Sequence, residues 1–257
     1  MSGFLGVTHS LGGRRWIGPG AEIDRRAEAM AQDTGLEPAL CQVLARLGVE
    51  SGAVEAYLAP TLRDLMPDPR GLRDMEAAAG RLVAAVATGE RIAVFADYDV
   101  DGGASAALLI DWLRGMRAPA PTLYIPDRID EGFGPNPPAM EALAAAHDLI
   151  VCVDCGTLSH EALAAADGAD VVVLDHHLGG ETLPPALAVV NPNRQDERGD
   201  LAHLCAAGVV FLMLVEAGRQ LRASGREGPD LMELLDLVAL ATVADVAPLT
   251  GVNRAFV

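Results

Sequence analysis

The stretch Val94–Leu109, "VFADYDVDGGASAALL", decides how this chain is read. An apolar run of strand type leads into Asp97, Asp99 and Asp101. Gly102 and Gly103 follow at once, and then a segment of helical type rich in Ala and Leu. D-x-D-x-D-G also opens a calcium-binding EF-hand loop. That loop requires a helix before it and a bidentate Glu at its twelfth position. Counted from Asp97 the twelfth residue is Leu108, and the preceding "RIAVF" is a strand, so the calcium loop is excluded. What remains is a strand–turn–helix unit. Alternate strand residues share a face about 7 Å apart. With the strand ending near Asp97 and the helix starting near Gly102, the carboxylates converge on one edge. Uncompensated they repel and some protonate, whereas divalent cations keep them ionised. Gly102 and Gly103 would let the backbone approach a ligand, and the helix N-terminus would aim its N–H groups at the same place. The arrangement suits metal ions plus a phosphate.

Outward from this stretch the rhythm is α/β. After residue 90, strand-like runs ("RIAVFAD", "PTLYIP", "DLIVCVD", "ADVVVLD", "ALAVVN") alternate with helical ones, and two longer helices close the chain. The expected fold is an open, mostly parallel sheet with helices on both faces. Residues 1–75 read as a helical N-terminal leader, loose over its first 20 or so residues, and residues 76–257 as the catalytic domain. Three strands end in an acid, Asp97, Asp154 and Asp175, and the carboxyl edge is where open α/β sheets bind ligands. "VVVLDHHLGG" adds His176 and His177 behind Asp175. One imidazole can bind a metal while its neighbour points elsewhere, toward a phosphate oxygen. Asp245 closes an apolar helix and is a further candidate ligand. Oxygen-rich ligation with one or two His suits Mn²⁺ or Mg²⁺ better than structural zinc.

Composition narrows the function. The 257 residues, 51% hydrophobic, suffice for one large core. The net charge is −17, and every basic residue is Arg. Such a surface argues against broad, non-specific nucleic-acid binding but allows a local Arg-lined groove. Arg128 in "IPDRIDEGFG" and Arg194 in "NPNRQD" are candidate phosphate or strand contacts. Neither a secretory signal nor a membrane-spanning run is apparent. Cys152 and Cys155 form a C-x-x-C that no second pair completes into a zinc site. Reduced, buried thiols and a cytoplasmic location are expected.

Four blocks in order, "DYDVDG", "VDCG", "LDHH" and "ATVADV", resemble the DHH phosphoesterase superfamily, which is named for the third. The blocks between them, "YLAPTLRDLMPDP", "YIPDRIDEGFGPN", "VVNPNRQD", "LCAAGVVFLM" and "VADVAPLTGVNRAFV", are similar to its RecJ-type single-strand exonucleases over roughly residues 40–257. The resemblance implies two Mn²⁺ or Mg²⁺ ions and release of 5′-mononucleotides from single-stranded DNA in DNA repair and recombination. It also implies repair or single-strand-binding proteins as partners. Carried over by motif, Asp99, Asp101, Asp154, His176 and Asp245 are metal ligands, with Asp154 bridging. Asp97, Asp175 and His177 take catalytic or supporting roles, and Gly102, Gly103, Arg128 and Arg194 meet the substrate. Ala96, Ala206 and Ala241 stand where the family commonly has Gly, and Leu47-Gly48 where it often has Arg-Gly. RecJ-type chains continue into a DHH-associated and an OB-type domain, and this sequence is expected to carry the catalytic part without them. Two alternatives follow. One is a DHH phosphoesterase acting on short oligonucleotides, cyclic dinucleotides or pyrophosphate; the other is a truncated fragment that binds metal or partners without catalysis.

Overall fold

The computed structural model describes residues 3–257 and divides into two compact units, Met1–Asp64 and Leu65–Val257. The first two residues of the expected leader lie outside the described residues. Before residue 21 the chain makes a 3-10 turn at Phe4–Gly6 and backbone bonds from Phe4 to Trp16 and from Trp16 to Val7. Helices α1 (Ala21–Thr34), α2 (Pro38–Arg46), α3 (Val54–Leu58) and α4 (Leu62–Leu65) follow. Helix α1 stops at Gly35 in the left-handed conformation, and Pro38 opens α2, where its missing N–H costs nothing. Ala27, Met30, Cys41, Leu44 and Val54 form the small core of this unit.

The second unit runs α5 (Met75–Thr88), β1 (Ile92–Ala96), α6 (Val100–Gly115), β2 (Thr122–Tyr124), α7 (Pro137–Ala146), β3 (Leu149–Val153), α8 (His160–Ala164), β4 (Asp170–Leu174), β5 (Ala188–Val190), α9 (Ala206–Ala223), α10 (Leu235–Ala244) and α11 (Val252–Phe256). The division precedes the boundary expected after residue 75. Pro69 and Leu72 are buried, and Arg70 forms a 3.0 Å ion pair with the fully buried Glu216 of α9. The segment before α5 is thereby tied into the α/β unit.

All five strands are parallel, in the order β2-β1-β3-β4-β5. Burial on both faces explains why β1 and β3 read as unbroken apolar runs. Ala93, Phe95, Ile150, Cys152, Val171, Val173 and Val189 face α7 and α8. The alternate residues face the other layer, where α5 packs on β5, α6 on β1 and β3, and α9 on β3 and β4. Helices therefore cover both faces, as expected. All four cysteines are unpaired and buried. Among the described residues no helix is long and apolar enough to cross a membrane.

Two sequence expectations around the opening stretch change. Helix α6 begins at Val100, not at Gly102, because Asp99 caps it by accepting the Gly102 N–H at 2.9 Å. Asp101 therefore sits in the first helical turn, buried. Gly102 also does not open the backbone to a ligand. A Cβ there would lie 2.4 Å from the Asp97 carbonyl oxygen, so the glycine lets α6 pack against the end of β1. Gly103 is exposed, and a Cβ there would meet nothing within 4 Å.

The contrast is testable by urea denaturation. Gly102→Ala forces backbone apart and should destabilise by about 1–3 kcal/mol. Gly103→Ala should be neutral or stabilise by up to about 1 kcal/mol, the helical preference of Ala over Gly. Equal effects would contradict the packing role of Gly102.

Candidate metal centre

The register of the sheet builds the site. Ala96 pairs with Val153, Val153 with Leu174, and Leu174 with Val190. The next residue on each strand is Asp97, Asp154, Asp175 and Asn191. Three of them continue the ladder by one bond, from Asp97 N–H to Val153, Asp154 N–H to Leu174 and Asp175 N–H to Val190. Three acids and an amide thus form one row along the carboxyl edge, with strands about 4.8 Å apart. From β1 the chain goes out to β2 on one side and later to β3 on the other. Asp97 and Asp154 flank this switch point, the usual crevice of an open α/β sheet.

Other elements add ligating groups to the row. Asp99 arrives from the loop after β1, and Asp101 from α6. Asp245 arrives from the end of α10, which packs against α6. Carboxylates at a helix C-terminus face the negative end of its dipole, so Asp245 favours a nearby cation. Three overlapping groups result, each with ligating atoms within 4.8 Å of one another: Asp97, Asp99 and Asp154; Asp101, His176 and Asp245; and Asp154, His176 and His177. Nε2 of His176 lies 3.2 Å from Asp154 Oδ1 and 3.6 Å from Asp101 Oδ2, and its Nδ1 lies 3.9 Å from Asp245 Oδ2.

The acids differ sharply in how they are satisfied. Asp175 is buried but saturated. Its Oδ1 accepts the His176 N–H at 2.7 Å, the His177 N–H at 3.2 Å and His177 Nδ1 at 2.8 Å, and its Oδ2 accepts the Thr157 N–H at 3.0 Å. Burial pushes its pKa up, but the bonds from His177 and Thr157 outweigh it and hold it at about 2. In return the Asp175 carboxylate raises His177 to about 9, against the opposing effect of burial. Asp101 is also bonded, accepting the N–H groups of Ala206 at 2.7 Å and Ala207 at 2.9 Å at the start of α9. Burial still raises its pKa.

Asp154 is 1% exposed, and neither carboxylate oxygen has a hydrogen-bond partner. His176 is near Oδ1 but without the alignment of a bond. Burial raises the Asp154 pKa to about 7; the adjacent His176 opposes the rise, and the charges of Asp101 and Asp99 add to it. Its backbone sits at φ +61°, a left-handed conformation in which Asp is among the better tolerated residues. A buried carboxylate left bare is costly unless a cation meets it. The donor set of oxygens and imidazole fits Mn²⁺ or Mg²⁺, so the residues present match the ions expected from sequence.

Asp97, whose role was open in the sequence, joins the cluster with Asp99 and Asp154. The Arg128 guanidinium lies 4.9 Å over the ring of Tyr98, the residue between Asp97 and Asp99 in sequence. Arg194 does not reach the substrate as expected. Its side chain is buried, paired with Asp74 at 2.7 Å and Asp196 at 2.8 Å, and donates to the Val189 carbonyl at 2.6 Å. It braces the end of β5. Sequence reasoning missed Thr157, Asn191 and Asn193. Asn191 Nδ2 donates to Thr157 Oγ1 and to the His177 carbonyl, both at 2.8 Å, and Asn193 Nδ2 donates to the His176 carbonyl at 2.6 Å. Together they clamp the loop that carries both histidines. The signal was present in N-P-N directly after a strand, which reads as an ordinary turn.

Comparison with known proteins agrees with this geometry. The DHH family, N-terminal domain, matches residues 91–242. The chain is 39% identical over 243 residues to the single-stranded-DNA-specific exonuclease RecJ of Dickeya dadantii, covering 91% of this chain and 42% of that protein. The RecJ of Escherichia coli K12 is 37% identical, with 91% and 41% covered. A crystal structure of Thermus thermophilus RecJ in complex with Mn²⁺ superimposes with a TM-score of 0.71 at 32% identity, covering 93% of this chain and 32% of that one. The chain spans about two fifths of the length of the curated relatives it matches.

Because Asp154 titrates near 7 without metal, ion binding must displace its proton. Mn²⁺ affinity should fall at least about tenfold from pH 8 to pH 6, the loss expected for one competing proton at that pKa. It should fall further because the His176 imidazole, whose pKa burial lowers but Asp154 and Asp101 raise on balance, must also give up a proton. Calorimetry in buffers of different ionisation enthalpy should show proton release. A pH-independent affinity would contradict the bare, proton-binding Asp154.

Proposed function

The chain belongs to the DHH family, and from that premise we propose that it is a metal-dependent 5′–3′ exonuclease on single-stranded DNA that releases 5′-mononucleotides. The observation that carries this reading is the bare, buried Asp154 shared between two groups of ligating side chains. The similarity to RecJ exonucleases favours single-stranded DNA over dinucleotides or pyrophosphate as substrate. On this reading the α/β unit is the catalytic domain and the helices before it are the leader. We extend the reading to DNA repair and recombination in the cytoplasm, with repair or single-strand-binding proteins as partners.

Asp97, Asp99 and Asp154 would hold one Mn²⁺ or Mg²⁺, and Asp101, Asp154, His176 and Asp245 a second. When bound, such a pair activates water and offsets charge on the attacking and leaving oxygens. The remaining work falls to side chains of the chain itself. His177, turned by its bond to Asp175, donates to a non-bridging phosphate oxygen. Asp175 acts by fixing that imidazole rather than by binding an ion, since its oxygens are already engaged. Arg128, held over Tyr98, is placed to meet a neighbouring phosphate. Without cations the acidic row repels a polyanion, which couples substrate binding to metal loading.

The test is a time course on 5′- and 3′-labelled single strands in Mn²⁺. The 5′ label should leave first, as a mononucleotide, and EDTA should stop the reaction. Simultaneous internal cleavage or activity in EDTA would contradict the proposal. Asp154→Asn should lower activity to the EDTA level while the metal-free protein melts no lower than wild type, because a bare buried carboxylate is replaced by a neutral amide. Retained turnover would remove Asp154 from the centre of the account.

A further inference from the structure

A cavity of about 310 Å³ lies between the far halves of α6 and α9, near the lower bound for small-ligand pockets. Both helices begin at the acidic row: Asp101 is in the first turn of α6 and binds the first N–H groups of α9. Trp112, which lines the cavity, is 11 residues further along α6, about 16 Å at the helical rise. The cavity therefore has no share in the metal centre. Leu214, Val215 and Gly218 of α9 form a second wall. The third is the segment from Gly228 to Met232, which leads into a 3-10 turn at Leu231–Leu234.

Close packing builds these walls. A Cβ at Gly115 would lie 2.5 Å from Pro229 Cγ, so Pro229 seats on the end of α6. A Cβ at Gly228 would lie 3.8 Å from Trp112 Nε1, and one at Gly218 would lie 3.4 Å from Arg222 Nη1. The segment is thereby brought onto the indole, and the Arg222 side chain folds back along α9. Two polar groups here have no partner among the described residues. Trp112 is 1% exposed, yet its indole N–H makes no hydrogen bond, although such groups usually find one when buried. The Arg222 guanidinium makes neither an ion pair nor a hydrogen bond, although Asp and Glu outnumber Arg by 36 to 19. Asp230 also lines the cavity. Its Oδ1 accepts the Met232 N–H at 2.9 Å, and its Oδ2 is an unused acceptor. The cavity thus offers two donors, one of them charged, an anionic acceptor, and an apolar wall of Leu214, Val215 and Pro229.

We propose that this cavity binds the carboxyl-terminal residue of a peptide whose last side chain is apolar. The α-carboxylate meets Arg222 and the indole N–H, the last amide N–H meets Asp230, and the side chain lies against the apolar wall. A free inorganic anion would satisfy Arg222 but would leave the apolar wall wet and bring Asp230 no donor. An apolar group alone would leave both donors unpaired. The inference stands apart from the exonuclease reading, since it uses no group of the metal row.

The chain has two tryptophans, Trp16 and Trp112, so in Trp16→Phe the fluorescence of Trp112 reports the cavity alone. The whole chain carrying that change is titrated with three peptides: acetyl-Ala-Ala-Leu with a free carboxylate, the same peptide amidated, and acetyl-Ala-Ala-Ser with a free carboxylate. The first should shift the emission saturably. The other two should bind about tenfold more weakly, for loss of a charge-assisted bond or of a buried Leu side chain. Arg222→Gln should abolish the preference for the free carboxylate, and Arg222→Lys should keep it. The absence of a saturable shift with the first peptide overturns the inference. Equal affinity for acid and amide, or for the Leu and Ser endings, overturns it without recourse to any Arg222 variant, and so does a carboxylate preference that survives in Arg222→Gln.

Discussion

Parallel, in-register pairing of β1, β3, β4 and β5 forces the residues that follow them into a single row, and three of those residues are acids. Two unit charges about 5 Å apart in a partly buried setting repel by on the order of 3 kcal/mol. The chain handles this row in three different ways. Asp175 is saturated by backbone and imidazole donors and stays ionised. Asp97 sits at the solvent side and accepts the Tyr98 N–H at 2.8 Å. Asp154, between them, is buried without an aligned hydrogen bond, and its one near polar neighbour is the His176 imidazole at 3.2 Å. In the middle position only a proton or a cation relieves the charge, and the cation keeps the carboxylate ionised, so the preference for metal follows from the sheet register.

The surrounding scaffold serves that row. Asp101 binds the first N–H groups of α9, where the helix dipole favours an anion, and so fixes an acid and a long buried helix with the same two bonds. Asn191 and Asn193, just beyond β5, hold the carbonyls of His177 and His176. The imidazoles are therefore positioned by backbone clamps as well as by Asp175. These bonds hold the site rigid on the sheet edge, the condition for electrostatic preorganisation. The loop from Asp127 to Asn136, which carries Arg128, is the contrasting part: it turns on Gly132 and Gly134, and the Glu131 carboxylate closes it by accepting the Asp127 N–H at 2.8 Å.

The sequence revealed what depends on local rules. Apolar runs closed by an acid marked β1, β3 and β4 and their carboxyl edge, and alternation of strands and helices marked the layers. It was less informative where the answer depended on contacts distant in sequence. Gly102 looked like a ligand-approach glycine because the close carbonyl of Asp97 comes from a chain reversal that composition does not show. Arg194 looked like a phosphate contact because its partner Asp74 is 120 residues away. Asp175 and Asp154 look alike as strand-end acids. The difference in their hydrogen bonding, which sets one to clamp a histidine and leaves the other bare, exists only in three dimensions.

The central claim is that one bare carboxylate, Asp154, joins two cation sites. Electron paramagnetic resonance of the chain titrated with Mn²⁺ tests it most directly. The account predicts two ions per chain at saturation, with the spectrum of an exchange-coupled pair that disappears in Asp154→Asn. A single uncoupled ion, or two that remain magnetically independent in the wild type, would contradict it.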